Sequence, residues 1–348
     1  MTRIKTRQSN HTATPHYDQI YNVSHYDDYR SPRARRLAIE HDHKQHRKYR
    51  RGAVLTIVIV LALVITTTAV WTQQTSHDKQ RALAIAQRQS PTTSITKKLP
   101  GEIAALSQQL SLPNDAILDD DLEPNNAQVA VTLIDLSNQN RGQVHYHDTT
   151  QWTAASAYKL FVALEENQQV ENGTLTWNSP LNGDTLGDCL RQMILVSDNN
   201  CPQAWLQNYS SFSHLTATAT AAGSRQTDFS LGNMRASAND LANLLEQLQR
   251  GALLNALNTK NLLNLMEQQR YRDGIPAGVR ANLANGTSPV STTVADKVGF
   301  ADDYNGPILN DAAIVNSPKG SYVLVIMTNG YSWQFIANLS SWIDAQME

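Results

Sequence analysis

A serine and a lysine three positions apart form the pattern with the clearest chemical use in this sequence. Ser156 and Lys159 lie in the apolar stretch TAASAYKLFVALE, residues 153–165, whose composition predicts a buried helix. On a helix, side chains three positions apart lie on the same face, so the two groups would adjoin. A lysine held out of water can lose its proton near neutral pH and activate a serine hydroxyl as a nucleophile. Because Ser-x-x-Lys also arises by chance, the pair needs support from elsewhere in the chain.

A polar triplet lies at a predicted break between two short apolar helices. Ser197, Asp198 and Asn199 are consecutive there, and Pro202 follows in the next helix. Each of the three residue types accepts hydrogen bonds from free amides at a helix start, so the triplet alone is typical of a helix cap.

A lysine two positions before a glycine ends a predicted strand. Alone, Lys297 and Gly299 are typical of an exposed sheet edge. Taken in order along the chain, however, Ser-x-x-Lys, Ser-Asp-Asn and Lys-x-Gly resemble the active-site signature of the serine β-lactamases and penicillin-binding proteins. The resemblance is closest to the class A β-lactamases and covers most of residues 126–348. The IPAG run at 275–278 and the Asn-Asp pair at 310–311 resemble later landmarks of that family.

The resemblance implies an α/β (α+β) fold of the β-lactamase/transpeptidase type, with a five-stranded antiparallel sheet flanked by helices and a helical subdomain. The sequence pattern agrees, because strand-like runs lie at both ends of the region and helical runs lie between them. Predicted strands cover residues 128–136, 142–147, 292–298, 312–316 and 322–328. Predicted helices cover residues 102–110, 153–165, 189–196, 201–209, 240–249, 257–269 and 334–345.

The resemblance also implies roles for the residues of the first two motifs. Ser156 would attack a substrate carbonyl to form an acyl-enzyme, with Lys159 as the adjoining base. Ser197 would carry the proton to the leaving nitrogen, and Asn199 would hydrogen-bond the amide side chain of the substrate. Asp198 would be structural.

The third motif would complete the substrate site. Lys297 would supply a positive field for the substrate carboxylate and lower the pKa of its neighbours. The backbone amides of Ser156 and Phe300 would form the oxyanion hole, and Gly299 would belong to the same substrate-binding strand. These motifs supply a nucleophile and proton carriers, so they imply neither a metal nor another cofactor.

Two departures from the family pattern bear on turnover. Class A enzymes carry a glutamate, on a loop after Ser-Asp-Asn, that activates the deacylating water. This sequence has no glutamate between Glu171 and Glu246, and the corresponding stretch, residues 222–236, offers only Asp228. A missing base costs about two to four orders of magnitude in rate. Val298 stands where the family has Thr or Ser, and the lost hydroxyl is worth about 1 to 3 kcal/mol of carboxylate binding.

An uncharged apolar run, residues 53–71, has the length of a membrane-spanning helix and follows a basic stretch. A cleaved signal peptide lies closer to the N-terminus and is shorter, and a buried helix is rarely so apolar. We therefore expect a single-pass cell-membrane protein with a cytoplasmic N-terminus and an extracytoplasmic catalytic domain. The expected organisation is a disordered basic cytoplasmic tail at 1–52, a transmembrane helix at 53–72, a stalk at 73–125 and the hydrolase domain at 126–348.

Three histidines in the N-terminal tail raise the possibility of a metal site. His41, His43 and His46 sit among lysines and arginines, which repel a metal cation, so a solvated basic tail is the favoured interpretation. The net charge of the whole chain is −2, which gives no general case for nucleic acid as a partner.

The only two cysteines, Cys189 and Cys201, bracket the Ser-Asp-Asn triplet. Outside the membrane they could form a disulfide that links the two helices, and two buried free thiols are the equally weighted alternative.

The sequence as a whole favours a serine hydrolase that acts through a Ser156 acyl-enzyme on β-lactams or on D-Ala-D-Ala-type peptidoglycan peptides, with slow deacylation. The alternative is a catalytically weak module that binds cell-wall peptide and signals to the tail. Val298 and the missing glutamate favour the alternative, whereas the intact Ser156, Lys159, Ser197 and Asn199 favour an enzyme.

Overall fold

The structure, a computed structural model, describes residues 47–48, 54–57, 59–68, 71–75, 91–111, 129–137, 142–303 and 306–347. The chain divides into two units, Met1–Gln87 and Arg88–Glu348. Almost all of the predicted tail, including its three histidines, and much of the predicted stalk lie outside the described residues.

The first unit contains the apolar helix α1, Val54–Thr75, which is 22 residues long and apolar enough to cross a membrane. The hydroxyls of Thr66, Thr67 and Thr68 donate to carbonyls three or four residues earlier, so these polar groups are satisfied within the helix. By length and composition a signal sequence would pass the same test as a membrane anchor, and neither property gives the orientation.

The second unit contains both strands and helices, and each kind is numbered in chain order. The strands are β1 Val129–Asp135, β2 Gln143–Tyr146, β3 Trp152–Thr153, β4 Pro180–Leu181, β5 Asp184–Thr185, β6 Arg235–Ala236, β7 Thr293–Asp303, β8 Gly306–Asn316 and β9 Tyr322–Asn329. The helices are α2 Pro91–Gln109, a 3-10 turn Ala155–Tyr158, α3 Lys159–Glu171, α4 Leu186–Leu195, α5 Asn200–Asn208, α6 Phe212–Ala221, α7 Ala238–Gln249, α8 Ala256–Glu267, α9 Ile275–Asn285 and α10 Trp333–Met347.

The five long strands form one antiparallel sheet in the order β2-β1-β9-β8-β7. The first and last parts of the sequence therefore meet in its centre, where Val131 of β1 faces Ile326 of β9. Strand β7 lies at one edge and pairs with β8 alone, for example Gly299 with Asn310. The predicted five-stranded antiparallel sheet with flanking helices is confirmed.

Alternation along the central strands sends side chains into two separate apolar layers. One layer contains Ala130 and Ile134 of β1 with apolar side chains of α3, α4 and α7. The other contains Val131 and Leu133 with apolar side chains of α2, α9 and α10. Because both faces are covered, every residue of β1 is buried, and the central strands read as continuous apolar runs.

Helix α2 lies in the stretch that the sequence analysis interprets as a stalk. Its Ile95, Leu99, Ile103 and Leu106 repeat at helical spacing and pack in the second apolar layer. The folded unit therefore includes residues from Pro91 onward, upstream of the predicted start at residue 126. Two of the prolines that suggest a stalk lie in this helix: Pro91 begins it, a position that proline tolerates, and Pro100 lies in its interior, where the apolar packing outweighs the lost hydrogen bond.

Three local features differ from the expected pattern. Ser156 lies on a 3-10 turn that precedes α3, not within the α-helix itself. Helices α6 and α9 have no counterpart among the predicted helices. Helix α6 is rich in threonine and alanine, which obscures its apolar periodicity, and its Thr216 and Thr220 hydroxyls donate back to carbonyls four residues earlier.

Candidate active site

The serine and lysine of the first motif are in contact. The 3-10 turn runs directly into α3, which places Ser156 one turn before Lys159. Lys159 Nζ lies 2.9 Å from Ser156 Oγ. Ser156 is half-buried, whereas Lys159 is fully buried. The hydroxyl can therefore reach a substrate while its partner amine is shielded from water.

The Ser-Asp-Asn turn supplies the other contacts of the Lys159 amine. Lys159 Nζ donates to the Ser197 carbonyl and to Asn199 Oδ1, each at 2.7 Å, and lies 3.4 Å from Ser197 Oγ. Asn199 is exposed, and its Nδ2 has no hydrogen-bond partner among the described residues. That amide group is therefore free to bind a ligand at the mouth of the site.

Lys297 reaches the same turn from strand β7. Its Nζ donates to Ser197 Oγ at 3.0 Å and to the Val298 carbonyl at 2.8 Å, and the side chain is fully buried. The Ser197 hydroxyl therefore lies between the two lysine amines. The structure brings Ser156, Lys159, Ser197 and Lys297 into one connected cluster.

Burial lowers the pKa of both lysines. The pKa of Lys159 falls to about 8 because the amine is removed from water, although the charge of Asp198 opposes the shift. The pKa of Lys297 falls to about 7, first through burial and then through the positive charge of Lys159, against the opposing charges of Asp296 and Asp311. Near neutral pH the cluster can therefore hold an uncharged amine beside Ser156, which is the form that accepts a proton.

Contacts from two neighbouring strands hold the turn that carries Ser156 against the edge of the sheet. A Cβ on Gly299 would overlap the Ala154 carbonyl and would lie 2.8 Å from Ala157 N and 3.1 Å from Ser156 N. Only glycine allows β7 to lie this close to the turn that carries the serine. From the next strand, Asn310 Nδ2 donates to the Thr153 and Ala154 carbonyls at 2.9 and 3.0 Å.

The turn that carries Ser197 is held by a cap and a disulfide. Ser197 has a left-handed φ of 59°, which for serine is an uncommon conformation. Asp198 Oδ1 accepts a hydrogen bond from Cys201 N at 2.8 Å at the start of α5. Cys189 and Cys201 form a disulfide with a Cα–Cα distance of 5.2 Å that links α4 to α5 on either side of the turn. Of the two cysteine states left open by the sequence, the structure contains the disulfide.

The sequence matches one known protein family. The model of the Beta-lactamase enzyme family matches residues 114–343, which is more than half of the chain. The chain belongs to the β-lactamase enzyme family. No curated protein matches the sequence significantly.

Solved structures of β-lactamase-family proteins share its fold. PBP-A is 18% identical with a TM-score of 0.53, over 69% of this chain and 93% of PBP-A. The class A β-lactamase of the last common ancestor of Gram-negative bacteria is 16% identical with a TM-score of 0.57, over 70% and 97%. A β-lactamase from Chitinophaga pinensis DSM 2588 is 15% identical with a TM-score of 0.56, over 72% and 97%. Identities this low show the fold alone.

In this β-lactamase-family chain, the loop between α6 and β6 adjoins the turn that carries Ser156. Ala154 N donates to the Met234 carbonyl at 2.8 Å, and β6 pairs with β3 just before that turn. Asp228 is exposed, and its Oδ1 accepts from Ser230 N at 2.8 Å. Buried Asp240 anchors the loop start by accepting from Gln226 N and from Thr227 Oγ1, each at 2.8 Å. Among the described residues, no carboxylate hydrogen-bonds Ser156.

Several residues that position the site carried no clear sequence signal. Arg272 donates to Asp296 Oδ1 at 2.8 Å and to the Val294 carbonyl at 2.8 Å, so it supports β7 from behind. Asp311 Oδ2 accepts from Ile275 N at 2.7 Å and fixes the start of α9. In the sequence, the Asn310-Asp311 pair is only a family landmark, because each of its contacts joins residues far apart in the chain.

Proposed function

We propose that this β-lactamase-family protein is a serine acyl-transfer hydrolase whose Ser156 forms an ester with β-lactams or with D-Ala-D-Ala-type peptides of the cell wall. The observation that carries the proposal is the 2.9 Å contact between a buried lysine amine and the half-buried Ser156 hydroxyl. A serine hydroxyl needs such a base to become a nucleophile. Strong burial of the amine provides that base near neutral pH.

The proton follows the hydrogen-bonded chain of the cluster. As Ser156 Oγ bonds to the substrate carbonyl carbon, its proton moves to the neutral amine of Lys159. When the carbon–nitrogen bond breaks, the leaving nitrogen takes a proton from Ser197 Oγ, which recovers one from the neighbouring lysine amines at 3.0 and 3.4 Å. The Ser156 and Phe300 amides stabilise the negative charge on the carbonyl oxygen in the transition state.

Release of the acyl group is proposed to be slow. Deacylation needs a base that activates water, and the loop beside Ser156 offers Asp228, whose carboxylate is exposed and bonded to its own loop. PBP-A also has a solved variant, 18% identical to this chain, that is an acyl-enzyme complex with penicillin G. A protein of this fold can therefore carry a penicillin acyl-enzyme, which supports acylation of Ser156 here.

Helix α1 is proposed to be a single membrane anchor, with residues 1–52 as a cytoplasmic tail and the hydrolase outside. Its length and uncharged composition support the anchor, and the basic residues before it support the orientation. Protease added to intact cells should then digest the hydrolase unit, and protection of that unit would contradict the orientation.

The decisive experiment exposes the full-length protein to penicillin and examines its peptides by mass spectrometry. We expect a stable adduct on the peptide that contains Ser156 and none in the Ser156→Ala variant. An unmodified Ser156 peptide in the wild type would contradict the proposal. Rapid hydrolysis of a chromogenic β-lactam would instead contradict slow deacylation.

A second candidate is a catalytically weak module that binds cell-wall peptide. The absence of a loop carboxylate bonded to Ser156 among the described residues favours it. The Ser156→Ala variant distinguishes the two, because a binding module would keep its ligand affinity and its cellular role without the hydroxyl, whereas an acyl-transfer enzyme would lose the role.

A further inference from the structure

An aromatic pocket lies beside strand β7. It has a volume of about 240 Å³ and is lined by Tyr271, Asp273, Val298, Phe300 and Trp333. Tyr271 and Phe300 meet edge to face, with ring centroids 5.3 Å apart. The walls are thus mainly aromatic and aliphatic, with one carboxylate.

The pocket and the cluster of Ser156, Lys159, Ser197 and Lys297 both adjoin strand β7. Alternate residues of a strand point to opposite faces, so Lys297 and Gly299 face Ser156 and Ser197 while Val298 and Phe300 face the pocket. Among the described residues, strand β7 pairs only with β8, and none of them pairs with its outer edge, which can take an extended ligand. A ligand that lies along this edge can reach both Ser156 and the pocket.

The charges around the pocket do not suit an anion. No lysine or arginine lines it. The nearby Arg272 guanidinium is directed to Asp296 and to the Val294 and Glu267 carbonyls. Lys297 is buried and bonded to Ser197. Val298 has no hydroxyl to donate, and the Asp273 carboxylate would repel a ligand carboxylate.

The same groups suit an organic cation. Aromatic rings attract an ammonium group even at exposed sites, and the Tyr271 and Phe300 side chains at the pocket are 41% and 44% exposed. Asp273 is exposed at the pocket, and among the described residues nothing hydrogen-bonds or ion-pairs its carboxylate. A cation in the pocket would therefore gain a counter-charge that no protein group already holds.

We infer that the pocket of Tyr271, Asp273, Val298, Phe300 and Trp333 binds an alkylammonium group carried by the acyl donor that Ser156 accepts. The link to the acyl donor rests on the proposed function, whereas the preference for an ammonium group rests on the pocket alone. The inference adds a substrate class to the site: amides or lactams with a positively charged substituent.

A matched pair of probes tests the preference directly. Choline and 3,3-dimethylbutan-1-ol have nearly the same shape, and only choline is charged. We expect detergent-solubilised full-length protein to bind choline about tenfold more tightly in ligand-observed NMR titrations, within the range of cation–π recognition. Ser156→Ala should keep this preference, because the pocket does not use the hydroxyl. Equal affinity for the two probes would overturn the inference.

Two variants locate the effect in the pocket. Asp273→Asn and Tyr271→Leu should each weaken choline binding about threefold to tenfold and change the alcohol little. Asp184→Asn is the control, because Asp184 is equally exposed and does not line the pocket. Asp273→Asn behaving like Asp184→Asn would overturn the inference.

Failure of the inference and failure of the proposed function give different results. A penicillin adduct on Ser156 without any choline preference would overturn the inference and leave acyl transfer standing. A choline preference without an adduct would support the ammonium preference of the pocket and contradict both the acyl-transfer proposal and the link to its acyl donor.

Discussion

Ser156 has two very different neighbourhoods. On one side, Lys159, Ser197 and Lys297 form a buried chain of contacts between 2.7 and 3.4 Å. On the other side lies the α6–β6 loop, whose Asp228 is exposed and bonded within the loop. The first side holds preorganised proton carriers, and the second holds none that contacts the serine among the described residues.

In the proposed hydrolytic cycle, this difference separates the two halves. Forming the acyl-enzyme needs a base for the serine hydroxyl, and the amine side provides it. Breaking the acyl-enzyme needs a base for water, and the loop side lacks one in contact. One fold can therefore support a fast first step and a slow second step, because each step depends on a different wall of the same site.

Removal of the Lys159 amine should have the largest effect on this comparison. We expect Lys159→Met to slow labelling of Ser156 by penicillin about 10²- to 10⁴-fold, which is the usual contribution of a positioned general base. The measurement is the rate of adduct formation by mass spectrometry. Lys260→Met serves as the control, because Lys260 is an exposed lysine on α8. If Lys159→Met is labelled at the wild-type rate, Lys159 is not the base for Ser156, and the amine side has no catalytic advantage over the loop side.

The disulfide links the two helices that flank the Ser197 turn on the amine side of the site. Cys189 and Cys201 are 12 residues apart, and closing a loop of this length stabilises a fold by about 3 kcal/mol. We expect the double variant Cys189→Ser, Cys201→Ser to lose about that much unfolding free energy in urea, followed by tryptophan fluorescence. Reductant should destabilise the wild type and not the variant. Equal stability of the two proteins would show that the disulfide does not support the turn that carries Ser197.

The pH profile of acylation should report the buried amine. Lys159 is active as a base only when neutral, and burial lowers its pKa to about 8. At saturating penicillin, the acylation rate should rise about tenfold per pH unit below that value and level off above it. Adduct formation in Ser156→Ala gives the background at each pH. A rise centred near 10.5, the ordinary value for lysine, would show that the amine is not shielded from water.

Much of the fold could be read from the sequence, because its signals are local. The five strand runs and the Ser237 cap of α7, which accepts from Asp240 N at 3.1 Å, appear as patterns within a few residues. Helix α2 lies where the sequence predicts a stalk, because its prolines and polar residues mask the apolar side chains that pack against the sheet. Only the presence of β2 and α10 shows which of its faces is buried.

The site could be read from motif order, but its geometry could not. The spacing of Ser156 and Lys159 predicted their contact within one helical turn. By contrast, the hydrogen bond from Lys297 to Ser197 joins residues 100 positions apart, and the pocket beside Val298 gathers residues from β7, α10 and the segment before α9. Such contacts follow from the topology of the sheet, which no local pattern encodes.

The smallest expected effect is that of Asp228, on the loop side, on the lifetime of the penicillin adduct. We expect Asp228→Asn to change the lifetime of the penicillin adduct by less than about twofold, because a carboxylate that does not contact Ser156 contributes none of the 10²- to 10⁴-fold of a general base. Its oxygen accepts from Ser230 N, and asparagine keeps an acceptor there, so the loop should hold its shape. The lifetime is measured by mass spectrometry after removal of free penicillin, with Asp184→Asn as the matched charge control.

A longer adduct lifetime in Asp228→Asn, but not in Asp184→Asn, would show that the loop side does provide a base for deacylation. It would mean that the loop moves its carboxylate towards Ser156 once the acyl group is in place, although Asp240 anchors the start of the loop through backbone amides. The deacylating base would then exist but be assembled by the substrate. An unchanged lifetime would show that this loop supplies no base to activate water. A persistent adduct would then be explained by the loop's lack of any acidic residue other than Asp228.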